Sequence, residues 1–237
     1  MLSFFVFQLI VLKTLENKGV NSPPSFDIRY LYPANYFEPV PNEGRCPISS
    51  AFAAASQLAI RRAKKGYEYL KLSAQYIISC QRYTCNSQGS GYDDMRFLDS
   101  GIPSESCFPY VSNDGRVPQC PSKCVNGGNF TKYRASDYST SSKEVEKIKM
   151  LLVDDGPMLI KFSAGKDFYN YRRGIYTPSS NDLSRSALLI GWGMEGNVPF
   201  WLCQNSMGTR WGENGYFRLI ADEGHSSNYY FYYSNVA

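Results

Sequence analysis

The sequence predicts an α+β fold in two lobes, and three observations carry that prediction. The first half is rich in helix-forming stretches. The second half carries short β-type runs set off by Gly and Pro. The two kinds of segment do not alternate as βαβ units would require. The chain has 237 residues, 43% of them apolar and 19% charged. That is the composition of a globular protein with material for one large domain or two lobes.

The elements follow in order. Met1 to Leu12, MLSFFVFQLIVL, is too short to span a bilayer and suits a signal-peptide core. It lacks a basic leading segment and a small-x-small cleavage site, so an apolar segment docked on the domain is the alternative. Residues 1–21 are set apart on this ground, and the globular domain covers 22–237, opening near Ser25-Phe26-Asp27 after Pro23-Pro24. No other segment is apolar and long enough to cross a membrane. Ala51 to Gly66, AFAAASQLAIRRAKKG, is a helix of strong formers ending on glycine, with an apolar stripe at Phe52, Ala55, Leu58 and Ala59. Ser73–Cys80 and Asp93–Asp99 suggest two shorter helices, and residues 81–135 are loop-like and cysteine-stapled. Lys143 to Val153, apolar at 145, 148, 151 and 152, has the period of a surface helix. Met158–Phe162, Ala187–Trp192, Phe200–Gln204 and Tyr216–Ile220 read as strands, and Tyr229–Tyr233 as a strand packed on the β lobe or an exposed aromatic patch for a partner.

The net charge of +4 comes from dispersed Lys and Arg. Arg61-Arg62-Ala63-Lys64-Lys65 falls where a helix ends and reads as a solvated cationic turn. Arg172-Arg173 is the other local cluster, and nothing resembles a nucleic-acid module. Six of the seven cysteines lie between Cys46 and Cys124, without paired C-x-x-C spacing and with a single His in the chain. A metal site is therefore not expected, nor any cofactor. Three disulfides and one buried thiol, Cys203, fit better and imply an oxidising compartment such as the secretory pathway, the cell exterior or a lysosome-like vesicle. Asn129-Phe130-Thr131 is a glycosylation acceptor of the same import.

Two stretches reach beyond composition. Gln204-Asn205-Ser206-Met207-Gly208-Thr209-Arg210-Trp211-Gly212-Glu213-Asn214-Gly215-Tyr216 resembles the N-S-W-G-x-x-W-G-x-x-G-Y signature of papain-like cysteine peptidases. Asn42 to Phe52, NEGRCPISSAF, resembles that family's Q-G-x-C-G-S-C-W-A-F turn. Pro24 to Arg29, Leu72-Ser73-Ala74-Gln75 and Arg173-Gly174-Ile175-Tyr176 fall in the family's order. Cys107-Phe108-Pro109-Tyr110 and Cys120-Pro121-Ser122-Lys123-Cys124 are closest to its cathepsin B-like and dipeptidyl-peptidase-like branches. The resemblance runs from about residue 22 to the C-terminus. It implies a helical left lobe and a β-barrel-like right lobe meeting at a cleft. It also implies the pairs Cys46–Cys85, Cys80–Cys120 and Cys107–Cys124. A domain starting about twenty residues from Met1 leaves no room for an inhibitory propeptide, a truncated gene model being the alternative.

Catalysis in that family needs a thiolate at a helix N-terminus, an imidazole base, an Asn to orient it and an amide donor for the oxyanion. The resemblance carries the nucleophile position onto Ser49, the base position onto Ser186, the orienting Asn onto Asn205 and the oxyanion donor onto Glu43. Trp211 and Met207 fall on the cleft's tryptophans, and Gln88 and Gly89 on the glycine segment facing a substrate. A hydroxyl does not ionise near neutral pH, and Ser186 is no base. An ionised Glu43 about 4 Å from a developing oxyanion would repel it by roughly 4 kcal/mol at an effective dielectric near 20. Ser49 then reads as a helix N-cap, Asn205 as a hydrogen-bonded structural residue, and His225 as a surface-loop residue outside every motif. The expectation is a cathepsin B-like homologue without catalysis that binds a peptide or protein ligand in its cleft, as decoy or scaffold. The alternatives are a Ser49 hydrolase with an unidentified base and a structural subunit of a larger assembly.

Overall fold

The computed structural model describes residues 22–140, 144–178, 183–221 and 229–237. The N-terminal apolar segment, Lys143 and His225 lie outside the described residues. Helices α1 (Ser49–Lys64), α2 (Ala74–Cys80) and α3 (Gly91–Phe97) belong to the first half, and α4 (Val145–Asp154) opens the second. The strands are β1 (Phe26–Asp27), β2 (Ala135–Thr140), β3 (Met158–Ser163), β4 (Ile175–Tyr176), β5 (Leu183–Glu195), β6 (Val198–Gln204), β7 (Tyr216–Ile220) and β8 (Tyr229–Val236). They form one sheet in the order β2-β8-β3-β5-β6-β7-β4, with β1 pairing β5. All pairs are antiparallel except β4 with β7. The aromatic tail resolves as β8, between β2 and β3, so it is a strand of the sheet.

The apolar patterns sort into lobes. Ala51, Ala54, Ala55 and Leu58 of α1 pack with Ile77 and Ile78 of α2, Met95 of α3, and Leu98, Ile102 and Phe108. Ile160 and Phe162 of β3, Leu189 of β5, Trp201 of β6 and Phe217 of β7 form the core of the other lobe, with Ile148 and Leu152 of α4. Small residues along α1 let its backbone approach the sheet, and Ile60 meets Leu188 and Ile190 of β5 at the seam. The three disulfides are Cys46–Cys85, Cys80–Cys120 and Cys107–Cys124, and Cys203 is buried and free. Among the described residues no helix is long and apolar enough to cross a membrane.

The basic end of α1 corrects a sequence expectation, for most of it is drawn into the fold and only Lys65 is exposed. Arg61 is buried and donates to the carbonyls of Gly156, Pro157 and Ser234. Lys64 and Lys65 donate to the carbonyls of Val153 and Val236, and Arg62 lies over the rings of Tyr67 and Tyr133. Helix C-terminal cations favour such a position, and here they also satisfy carbonyls left over by α4 and β8. Burial lowers Arg61 to about 10.

Candidate functional site

The turn before α1 is fixed from three sides. Cys46 is bonded to Cys85, Arg45 donates its backbone N–H to Asn113, and Glu43 donates its own to Ser206 at 2.8 Å. Gly44 has φ +57°, and a Cβ there would lie 2.6 Å from the Asn113 carbonyl, so only glycine fits. The Gly208 N–H bonds Pro41, which holds the β6–β7 loop against the turn.

Between these segments lies a sealed polar network. The Glu43 carboxylate, 3% exposed, accepts from Arg185 Nη1 at 2.6 Å and from the Ser206 hydroxyl at 2.7 Å. Arg185 Nη2 donates to Asn205 Oδ1 at 3.1 Å, and that oxygen also takes the Ser206 N–H. Among the described residues Arg185 Nε and Asn205 Nδ2 are buried without a hydrogen-bond partner. The Ser49 hydroxyl accepts the Ser186 backbone N–H at 3.0 Å. The space bounded by Ser49, Ser186, Asn205 and Ser206 is about 10 Å³, which holds one water at most.

Three sequence-based expectations are thereby corrected. The side chain facing Asn205 and Glu43 is Arg185, not Ser186. Successive strand side chains point to opposite faces, so an error of one residue exchanges them. Ser186 gives the site only its backbone N–H. Glu43 is not a bare negative charge, because the Arg185 guanidinium neutralises it. Ser49 is not the N-cap: Ile48 takes that place, with no side-chain cap bond, and the Ser49 hydroxyl serves β5 instead of its own helix. Arg185 was detectable in the sequence as the one charge between Leu183 and Trp192, where a buried strand demands a partner for it.

The residues expected in the cleft separate. Met207 lines a concavity of about 320 Å³ with Asn42, Glu43, Gly44, Arg45, Pro47 and Tyr169. Trp211 lies beneath, buried among Phe168, Tyr171 and Phe217, with its indole N–H on the Tyr169 carbonyl. Gln88 is exposed, whereas Gly89 presses on the start of α1, and a Cβ there would fall 2.2 Å from the Ser50 hydroxyl oxygen. A wider depression of about 600 Å³ lies against Cys80–Cys120, lined by Arg82, Tyr83 and Val117. None of its lining residues belongs to the Glu43–Arg185 network, so the smaller concavity is the one beside the site.

Asp94 of α3 is a further buried acid that the sequence did not reveal. Its Oδ1 accepts from Gln81 and Tyr83, while among the described residues Oδ2 has no partner within ordinary hydrogen-bond geometry, Ser50 being the polar group nearest in effect. Burial pushes its carboxyl up to about 7, offset only in part by the polar groups of Ser50, Tyr83 and Gln81. Asn129 is exposed. Among the described residues no group of three or more His, Cys, Asp or Glu is arranged to hold a metal ion.

Comparison with known proteins agrees with this architecture. A family model described as papain family cysteine protease matches residues 22–233. Cathepsin B-like CP3 of Giardia intestinalis is 31% identical over 211 residues, 85% of this chain and 70% of the relative. A viral cathepsin of Choristoneura fumiferana nuclear polyhedrosis virus is 33% identical over 217 residues, 90% of this chain and 63% of the relative. The chain thus spans roughly two thirds of the length of these relatives. The solved structure of proCathepsin B S9 from Trypanosoma congolense superposes with a TM-score of 0.83 at 24% identity, covering 95% of this chain and 80% of that one.

Proposed function

This chain belongs to the papain family of cysteine proteases, with cathepsin B-like relatives, and we propose that it is a non-hydrolysing member that acts by holding a peptide or protein ligand in its cleft. The observation that carries this proposal is the buried Arg185 guanidinium, held by Glu43 and Asn205, one residue before the Ser186 N–H that the Ser49 hydroxyl accepts. A guanidinium has five donors and no acceptor, so it takes no proton from a hydroxyl. The Glu43 carboxylate is turned to Arg185 and the Ser206 hydroxyl, and among the described residues it has no hydrogen bond to Ser49, so it is not placed as a substitute base. The Ser49 oxygen already accepts a backbone N–H, and no group bonded to it can receive its proton. An amide donor for an oxyanion is absent from the Glu43 position. Three disulfides and the exposed Asn129 acceptor support a secretory or lysosome-like compartment.

The test compares wild type with the triple variant Ser49→Cys, Glu43→Gln, Arg185→His on fluorogenic peptide substrates. Wild type is expected to be silent and the variant to turn substrate over. Wild-type turnover that Ser49→Ala abolishes would overturn the proposal. Wild type should also be retained on an immobilised peptide-based peptidase inhibitor, and Met207→Trp should weaken that retention.

A further inference from the structure

We propose that the concavity between Arg45 and Tyr169 receives an acidic segment of a partner polypeptide, with Arg45 as the counter-charge to its carboxylate. This inference rests on the binding role above and names the chemistry of the ligand. The concavity is about 320 Å³, with apolar surface from Pro47, Met207 and Tyr169 beside an exposed Arg45. Among the described residues Glu43 is the only acid on its wall, and its charge is consumed internally by Arg185 at 2.6 Å. The wall therefore presents one net cation to a ligand.

The surrounding segments carry the same sign. Arg210 follows Met207 by three positions, and Arg172 and Arg173 follow Tyr169 by three and four. The Trp211 indole N–H on the Tyr169 carbonyl holds these two segments together. All three arginines are exposed, and among the described residues neither they nor Arg45 joins an ion pair. Of the acids nearby, Glu213 pairs with Arg218 and Asp114 lies 3.7 Å from Arg116, while Asp167 accepts from the Tyr176 hydroxyl and is the one charge that opposes the arginines. An apolar floor with a single cation at its edge suits one acidic side chain of a peptide, and the outlying arginines steer a chain bearing several. A uniformly charged polyanion would leave Pro47, Met207 and Tyr169 unused.

The test is fluorescence anisotropy with labelled octapeptides carrying alternating Glu and Leu, beside isosteric octapeptides of Gln and Leu. The acidic peptide should bind about tenfold tighter, which corresponds to ~1.4 kcal/mol. The preference should shrink as salt is raised, and Arg45→Glu should abolish it. Lys123→Glu, an equal charge change on the Cys107–Cys124 loop, should leave it in place. Equal affinity for both peptides, no binding of either, or an unchanged preference in Arg45→Glu would overturn the proposal. So would heparin binding that is tighter than the acidic peptide and indifferent to Arg45. Cleavage of both peptides would defeat the non-hydrolysing role alone, since an Arg45-dependent preference in kcat/KM would preserve this inference.

Discussion

Asp94 should make the protein less stable as pH rises through the mildly acidic range, and Asp94→Asn should remove that dependence. The carboxyl sits near 7 in the fold, because it is buried beneath α1 with one oxygen unpartnered. In the unfolded chain it titrates at about 3.9. The folded state thus holds its proton to higher pH than the unfolded state does. Below about pH 4 both states are protonated and the acid carries no penalty. Between about pH 4 and 7 the unfolded chain gains by ionising while the fold resists, and stability falls. At ~1.4 kcal/mol per pH unit over about three units, the loss reaches about 4 kcal/mol and then levels off. That is a large share of the 5 to 15 kcal/mol typical of a native domain. Asparagine keeps an oxygen for Gln81 and Tyr83 and carries no charge. Urea denaturation of both proteins at several pH values, disulfides intact, isolates the acid, because the other titrations cancel in the difference. Asp94→Asn should gain on wild type by about 4 kcal/mol between pH 4 and 8. A difference that stays flat across that range, or reverses, would refute the reasoning.

Three further outcomes are expected. Glu43→Gln leaves Arg185 buried without its carboxylate and should cost about 3 to 5 kcal/mol, lowering Tm by about 10 °C for a chain of this size; Glu43→Gln with Arg185→Met should recover most of that loss in the same calorimetric scan, and an unchanged Tm in the single variant would contradict it. Gly191→Ala would set a Cβ 2.1 Å from the Phe26 carbonyl oxygen on β1, so β1 must shift and stability should drop by about 1 to 3 kcal/mol, which urea melts would detect. Cys203 is fully buried and its thiol is pushed up by burial, so iodoacetamide should label it only after denaturation; mass-spectrometric labelling of the native protein would count against this.

Much of the fold was legible because it rests on local patterns. Tyr216–Ile220 was bounded as found, since Gly215 marks its start and its residues are aromatic or apolar but for Arg218. Met158–Ser163 exceeded its expected bounds by one residue. The three disulfides followed from family resemblance, and the structure contains each of them. The long β5 was read too short, because its ends carry polar and glycine residues that take their strand conformation from β3 and β6. The site was legible as a place and misread in detail. Glu43 and Asn205 do converge, yet the side chain that joins them is Arg185, and Ser186 reaches Ser49 through its backbone N–H. Long-range pairing also decided what composition could not. Arg61 looks like any surface arginine in the sequence, and only the fold brings Gly156, Pro157 and Ser234 to it. Asp94 is hidden in the same way.

The Glu43–Arg185 pair also constrains which mutational routes are open. Restoring either position alone strands a buried charge, and Arg185→His alone would leave Glu43 without its guanidinium. The two sites are therefore epistatic, and a route that replaces both one at a time must cross a stability valley. A cysteine at position 49, taken alone, would meet a cation and a carboxylate already locked together. The pair acts as a ratchet, each residue being easier to keep than to replace alone.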